Sequence, residues 1–246
     1  MKPLLKVIKP KSGLASSFPH TVLYGPVEQH GMGLMDPFYH QELLHLQACL
    51  EELNKASFLN ELLTTSFEEL RLEMGFPGRI TDAPADAMAD AVTKCYTKTV
   101  WRFAFQHGFS IEDPWTKLTY AREKDQFLMR AFVQQGYTGA RLYRLGVVRK
   151  YLRVTTVADI STADGKKLLD SAWDGSQIPQ TWHKIEWPRQ PPHLSNEFWT
   201  LWQEALSVCF LVPGANDKRL AEPLGRWTVD PLPNWNWLYH PASQIL

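Results

Sequence analysis

The feature that most constrains the fold is a series of helical apolar patterns, several of which end at glycines. The first pattern starts at Asp36-Pro37, where a carboxylate can cap the helix and proline occupies a position that needs no backbone donor. Later patterns end at residues that can adopt the left-handed conformation of a helix C-terminus: Gly75, Gly108 and Gly136. Since short connections make successive helices antiparallel neighbours, the sequence predicts a mainly α fold, a multi-helix antiparallel assembly.

Tryptophan and proline set the second half of the chain apart from the first. Eight of the ten tryptophans lie between Trp173 and Trp237, and Trp-Pro and Pro-Pro steps interrupt residues 187–192. These steps exclude a helix and favour an extended segment that packs tryptophans onto the helices. We predict three regions: a flexible arm at 1–22, a helical domain at 23–154, and an irregular Trp/Pro-rich C-terminal region at 155–246 packed on it. The alternative is a single domain over 23–246.

Charge and composition restrict the classes of function. The chain carries 26 Lys and Arg against 26 Asp and Glu, so its formal net charge is +0 and any contact with nucleic acid needs a local basic patch. No apolar run reaches the roughly 18 residues of a membrane helix, and basic residues and prolines interrupt the N-terminal apolar residues, unlike a signal peptide. We expect an intracellular protein that does not enter a membrane.

The sequence offers few of the patterns that hold cofactors or perform catalysis. Cys49, Cys95 and Cys209 lie far apart within apolar or helical patterns, which excludes a zinc knuckle and a disulfide framework. The glycine-rich phosphate-binding motifs and the nucleophile elbow of hydrolases are absent from the sequence. No two aspartates are adjacent. The sequence therefore predicts no cofactor and favours a protein without catalysis of its own.

One short segment carries residues suited to a metal site. Glu28 and His30 stand two positions apart after Pro26, so an extended backbone would point both side chains to the same side. Carboxylate and imidazole groups are common ligands of divalent metals. The segment Glu28-Gln29-His30-Gly31 is similar to the signature of creatininase-type metal amidohydrolases, which implies that activity as one alternative. The other interpretation is a polar connector whose glycines permit a tight backbone.

The strongest functional signal is a basic helix. Between Thr138 and Val154 the chain holds no acid and five basic residues: Arg141, Arg144, Arg149, Lys150 and Arg153. Such side chains can neutralise phosphates, and the nearby Tyr143, Tyr151 and Trp173 offer stacking surfaces. On a helical wheel the five charges spread over much of the circumference, so a solvated helix is the alternative interpretation. We predict the five basic residues as contacts for single-stranded or duplex nucleic acid.

Several short segments occur in a recognisable order along the chain. They are Tyr24-Gly25-Pro26, Gly31–Asp36 with Phe38-Tyr39, Phe67–Gly75, Tyr143–Leu152, Val157–Gly165, Trp187–Pro191 and Leu224–Trp227. In this order they resemble the region downstream of the polymerase core in reverse-transcriptase-like proteins of protist retroelements. The resemblance implies a thumb-side or C-terminal portion that contacts template and primer. It also implies a missing polymerase core as a partner, because the metal-binding aspartates would lie upstream.

We favour a non-catalytic, retroelement-derived protein with nucleic-acid contacts through the basic helix. One alternative is a metal-dependent amidohydrolase that uses Glu28 and His30. A second alternative is a protein-interaction module formed by the Trp/Pro segment 173–192, since tryptophan is enriched at protein interfaces.

Overall fold

The computed structural model describes residues 2–111, 120, 122–176 and 193–227. The predicted mainly α fold is confirmed, because within these residues the regular elements are helices and the extended segments meet only in isolated bridges. In chain order the α-helices are α1 (Lys2–Lys11), α2 (His20–Tyr24), α3 (Pro37–Leu53), α4 (Phe58–Met74), α5 (Ala85–Met88), α6 (Tyr96–Gln106), α7 (Leu128–Gln134), α8 (Gly139–Leu152), α9 (Asp170–Asp174) and α10 (Asn196–Phe210). Single 3₁₀ turns lie at Val27–Gln29, Ile80–Asp82, Ala89–Ala91 and Ala158–Ile160. The antiparallel arrangement of the helices stays a prediction.

The chain divides into two compact units, unit 1 at Met1–Leu63 and unit 2 at Thr64–Leu246, and the boundary falls inside α4. The predicted boundaries after residues 22 and 154 do not coincide with this division. The predicted arm also differs from the structure, because it contains α1 and the start of α2. The ammonium group of Lys9 donates to the carbonyls of Ser16 (2.9 Å) and Phe18 (2.7 Å), which ties the segment after α1 back to that helix.

A tight backbone junction organises unit 1. The amides of Met32 and Leu34 donate to the carbonyls of Val22 (2.8 Å) and Leu23 (3.0 Å), while Gly33 N donates to Gly25 O (2.9 Å). A Cβ at Gly31 would lie 2.1 Å from the Gly25 oxygen, so only glycine allows the two backbones to approach so closely. The junction places Asp36 ahead of α3, where its carboxylate accepts from Phe38 N at 2.9 Å, as the sequence predicts.

Unit 2 is built around α8. This helix packs against α5, α7, α10 and the 3₁₀ turn Ala89–Ala91, and α10 packs in turn against α7 and α9. Aromatic rings fill the space between α7 and α10: the rings of Phe132 and Trp202 lie 5.7 Å apart at an edge-on angle of 73°. Trp202 is fully buried and its indole nitrogen donates to the Ala172 carbonyl at 2.9 Å. Trp202 is therefore a core residue of unit 2.

Two predicted helices are shorter in the structure than the apolar periodicity indicates. The pattern from Met88 to His107 predicts one helix, whereas the chain forms α5, a 3₁₀ turn and then α6. The break occurs because Cys95 adopts an extended backbone and its sulfur accepts from Lys98 N, which starts α6 anew. The pattern over 121–135 yields only α7, since Arg122 and Asp125 bond to distant backbone groups instead of continuing a helix.

We expect Gly31→Ala to disrupt the junction of unit 1. The added Cβ overlaps a backbone oxygen and should destabilise the local structure by about 1–3 kcal/mol or more. The matched control is Gly146→Ala in α8, where a Cβ meets only the Met129 methyl group at 3.6 Å. Hydrogen–deuterium exchange checks the prediction: the amides of Met32 and Leu34 exchange faster in Gly31→Ala than in the parent or the control. Unchanged protection of these amides would contradict it.

Candidate nucleic-acid interface

Helix α8 carries all the predicted contact residues except the last, Arg153, which follows it. Leu142, Leu145 and Val148 are fully buried against the surrounding helices. Arg153 terminates the helix in the left-handed conformation, with φ of 58°. Because α8 is surrounded on several sides, its basic residues meet different surroundings.

Arg149 points into the protein rather than to solvent. Only 3% of the residue is exposed. One terminal nitrogen donates to the carbonyls of Leu72 (2.6 Å) and Glu73 (2.8 Å), and the other donates to the carbonyl of Val154 (3.2 Å). Leu72 and Glu73 stand in the last turn of α4, whose carbonyls have no partner within the helix. Arg149 therefore caps the C-terminus of α4 from a neighbouring helix.

The end of α4 is shaped to admit this guanidinium group. Gly75 follows the helix with φ of 56°, a conformation that strongly favours glycine. A Cβ at this position would lie 2.7 Å from Cζ of Arg149. The glycine that the sequence predicts as a helix end thus has a second role, because it makes space for an arginine that is distant in the chain.

The predicted set of nucleic-acid contacts has to be corrected at Arg149, because this residue is buried. Burial lowers the pKa of Arg149 to about 10, because the charged form loses solvation, while the carboxylates of Glu73 and Asp159 act in the opposite direction. The group therefore stays protonated at neutral pH. Since the side chain is buried and both terminal nitrogens donate to carbonyl oxygens, Arg149 is a structural cation and does not reach a phosphate.

Lys150 also interacts with α4. Its ammonium nitrogen lies 2.8 Å from Oε1 of Glu73, and both side chains are mostly buried. Glu73 also accepts from the backbone nitrogen (2.9 Å) and the hydroxyl group (2.7 Å) of Thr93. Glu73 thus joins α4, α8 and the segment that leads to α6. The neutralising partner of Lys150 is a protein carboxylate.

A cavity of about 210 Å³ lies beside these groups. It is lined by Leu72, Glu73, Arg149, Lys150, Arg153, Val154 and Thr155. Three of the five predicted contact residues, Arg149, Lys150 and Arg153, therefore line the same cavity. The cavity adjoins the C-terminal ends of α4 and α8, however, where the helix dipoles are negative. Arg149 and Lys150 here offset carbonyls and the Glu73 carboxylate of the protein itself, which disfavours an anionic ligand beside them.

Arg141 and Arg144 face outward beside α10. Nη2 of Arg141 lies 2.6 Å from Oε1 of Glu204, and Nη1 of Arg144 lies 3.6 Å from Oε2 of Glu197. The side-chain exposures are 57% and 52% in the first pair and 45% and 74% in the second. Exposed ion pairs of this kind contribute about 0–1 kcal/mol. A dissolved phosphate can therefore exchange with the glutamates at little cost.

An exposed aromatic ring stands between these arginines in the sequence. Tyr143 is 47% exposed. Tyr151, another predicted stacking residue, is half-buried, and its ring lies 6.0 Å from that of Trp199 at an angle of 80°. Tyr143 is therefore the more accessible of the two tyrosines. Arg141 and Arg144, three positions apart, lie side by side on the helix, and Tyr143 projects about 100° further around it from Arg144. We call these three exposed residues together the outer face of α8.

Sequence reasoning does not identify the acidic partners of α8. Glu197 and Glu204 lie seven positions apart on α10, a spacing that places them on one face of a helix. That spacing is the only local signal, because the ion pairs depend on how α10 packs on α8. Glu73 carries no local signal at all.

Glu28 and His30 do not have the geometry that the metal hypothesis requires. The hypothesis depends on an extended backbone, whereas Glu28 lies in the 3₁₀ turn Val27–Gln29 and His30 ends that turn with φ of 62°. Both residues are exposed. Among the residues that the structure describes, no group of three or more His, Cys, Asp or Glu side chains is placed to hold a metal ion. The neighbouring glycines serve the backbone junction of unit 1.

The Trp/Pro segment 173–192 lies mostly outside the described residues, which resume at His193. At its start, Trp173 is half-buried, and the ammonium group of Lys218 lies 5.2 Å from the centre of its ring. The interaction-module hypothesis stays a prediction. Across the described part of the chain, no helix combines the length and the apolar character needed to cross a membrane.

Comparison with known proteins leaves the family open. No protein-family model, no curated protein and no solved structure matches the chain. The resemblance to reverse-transcriptase-like proteins therefore stays a prediction.

We expect Arg149→Met to destabilise unit 2. Methionine fills much of the same volume but leaves the carbonyls of Leu72, Glu73 and Val154 without their donor, at a cost of about 3 kcal/mol. Arg144→Met is the matched control, because it removes an exposed pair and should change stability by less than about 0.5 kcal/mol. Urea unfolding of both variants gives the comparison. Equal midpoints for the two variants would show that the cap does not stabilise the fold.

We expect Glu73 to make stability depend on acid pH. Burial raises the pKa of Glu73, but hydrogen bonds from Lys150 and Thr93 outweigh it and leave the pKa below its ordinary value of 4.5. A lowered folded-state pKa contributes stability that is present above pH 4.5 and is lost as the pH falls through the folded-state value. Glu73→Gln should therefore cost roughly 1–2 kcal/mol at neutral pH.

The measurement is urea unfolding at a series of pH values. The difference between the parent and Glu73→Gln should shrink as the pH falls below the ordinary pKa of the carboxyl group. Glu69→Gln, an exposed substitution on the same helix, is the control and should show no such trend. A penalty for Glu73→Gln that is the same at acid and neutral pH would assign the effect to packing instead of charge.

Proposed function

We propose that the chain is a non-catalytic, retroelement-derived protein that contacts single-stranded nucleic acid through the outer face of α8. The observation that carries the proposal is the exposure of Arg141, Tyr143 and Arg144 on a helix whose other side is buried. A rigid helix that presents two guanidinium groups and an aromatic ring supplies the two interactions that single strands use, phosphate neutralisation and base stacking.

The two arginines of this face support a phosphate ligand. Arginine stays protonated and can give two parallel hydrogen bonds to a phosphate. The outward guanidinium groups of Arg141 and Arg144 are held only by exposed carboxylates, whereas the inward cations Arg149 and Lys150 are held by buried groups. The binding set is therefore narrower than the five residues that the sequence predicts.

The aromatic ring supports a single strand over a duplex. Bases in a duplex are stacked on each other, and their faces are closed to a side chain. An unpaired base can stack on an exposed ring such as that of Tyr143, and this interaction is worth about 1–3 kcal/mol per base. Duplex binding would use the arginines alone.

The proposed descent rests on the resemblance to the region downstream of a polymerase core, and a mainly α fold is compatible with it. A thumb-side portion would act beside a polymerase core, which makes such a core the proposed protein partner. The reading frame upstream of this chain in its genome tests the descent. A polymerase core there, intact or interrupted, would support it, and an unrelated gene would remove that support.

The binding proposal predicts a specific salt dependence. For single strands the slope of log affinity against log salt is about −0.7 per neutralised phosphate, so Arg141→Ala/Arg144→Ala should reduce its magnitude by about 1.4. Tyr143→Ala should weaken binding without changing the slope, because stacking releases no counterions. Fluorescence anisotropy with a labelled oligonucleotide at several salt concentrations measures both effects.

Arg102→Ala is the matched control, since Arg102 is an exposed arginine on a different helix of unit 2. It should leave both affinity and slope unchanged. If the Arg141→Ala/Arg144→Ala variant binds like the parent, the outer face of α8 is not the contact surface.

A further inference from the structure

Two glutamates of α10 occupy the arginines of the outer face of α8. Glu204 pairs with Arg141 and Glu197 pairs with Arg144, at distances of 2.6 Å and 3.6 Å. A carboxylate presents two oxygens to a guanidinium group much as a phosphate does. The four charges cancel, so in this conformation the outer face offers an exposed ring but no net positive charge.

The position of the two glutamates is set by the core. They lie seven residues apart on α10, which packs against α8 and carries the buried Trp202. A helix anchored in this way holds the carboxylates beside α8 whether or not a ligand is present. Their own side chains are at least half exposed, so they can swing into solvent without opening the core.

Each arginine also contacts an aromatic ring, and this contact remains when the carboxylate moves away. The guanidinium group of Arg141 lies 4.9 Å from the centre of the Tyr137 ring, and that of Arg144 lies 5.8 Å from the centre of the Phe198 ring. Cation–π contacts at this range orient a guanidinium group without consuming its hydrogen-bond donors. The arginines therefore remain in place for a phosphate that displaces the glutamates.

We infer that Glu197 and Glu204 are built-in competitors that weaken binding of nucleic-acid phosphates at the outer face of α8. This inference rests on the proposed function, because it concerns the same surface. Each phosphate that binds has to replace a carboxylate, so the two glutamates lower the affinity of this surface for a nucleic-acid strand.

The experiment compares affinities for a labelled single-stranded oligonucleotide at fixed salt. Glu197→Gln/Glu204→Gln keeps the size of both side chains and removes their charge. Because each exposed pair contributes little, the affinity should rise by about tenfold for the two substitutions together. The control Glu69→Gln/Glu222→Gln changes the net charge by the same amount at exposed sites outside α8 and α10. It should change the affinity by less than about twofold, because salt screens distant charges.

A second comparison separates competition from general electrostatics. In an Arg141→Ala/Arg144→Ala background, Glu197→Gln/Glu204→Gln should no longer raise the affinity. The arginines for which glutamate and phosphate compete are absent from that background. The same tenfold rise in that background would overturn the inference, as would no rise in the parent. Circular dichroism of each variant confirms that the helices are intact.

The outcomes also distinguish this inference from the proposed function. If the arginine substitutions weaken binding but the glutamate substitutions do nothing, the contact surface stands and the competition is refuted. If the arginine substitutions have no effect, or neither the parent nor the glutamate variant binds the oligonucleotide, both proposals fail.

Discussion

A buried cation joins two helices of unit 2, α8 and the end of α4. Arg149 reaches from α8 to the last carbonyls of α4, 76 and 77 residues away in the chain, and to the carbonyl that follows its own helix. An arginine suits this task because its five N–H donors can serve several carbonyls at once and its charge complements the negative end of a helix dipole. A guanidinium group buried beside these carbonyls fixes the end of α4 against α8, since separating them would leave the charge without compensation.

This constraint divides α8 into two sets of basic residues. Arg149 and Lys150 neutralise groups of the protein, the first at helix carbonyls and the second at Glu73. Arg141 and Arg144 lie on the solvent side, where their carboxylate partners are exposed and exchangeable. The inward set holds the helix in place, and that rigidity is what makes the outward set a defined surface. The binding role that we propose is assigned to the outward set because exposed ion pairs are replaced at little cost in free energy.

Much of the local structure could be predicted from short stretches of sequence. Asp36 caps α3, and Gly75, Gly108 and Gly136 follow their helices with positive φ, because caps and left-handed turns depend on a few adjacent residues. The periodicity failed where distant groups compete with the helix. Arg122 leaves the helical pattern to donate to the carbonyls of Gly225 and Thr162, and no short stretch contains that information.

The sequence alone determined the mainly α character, several helix ends and the concentration of basic residues in α8, since all three follow from composition, periodicity and neighbouring residues. Only the tertiary structure decided which of those basic residues are inside, which are outside and which carboxylates they meet. The physical reason is that a cation's role depends on the groups brought opposite to it. For Arg149 these are carbonyls of α4, and for Arg141 and Arg144 they are glutamates of α10. The same residue type therefore stabilises the core at one position and forms a candidate binding surface at another.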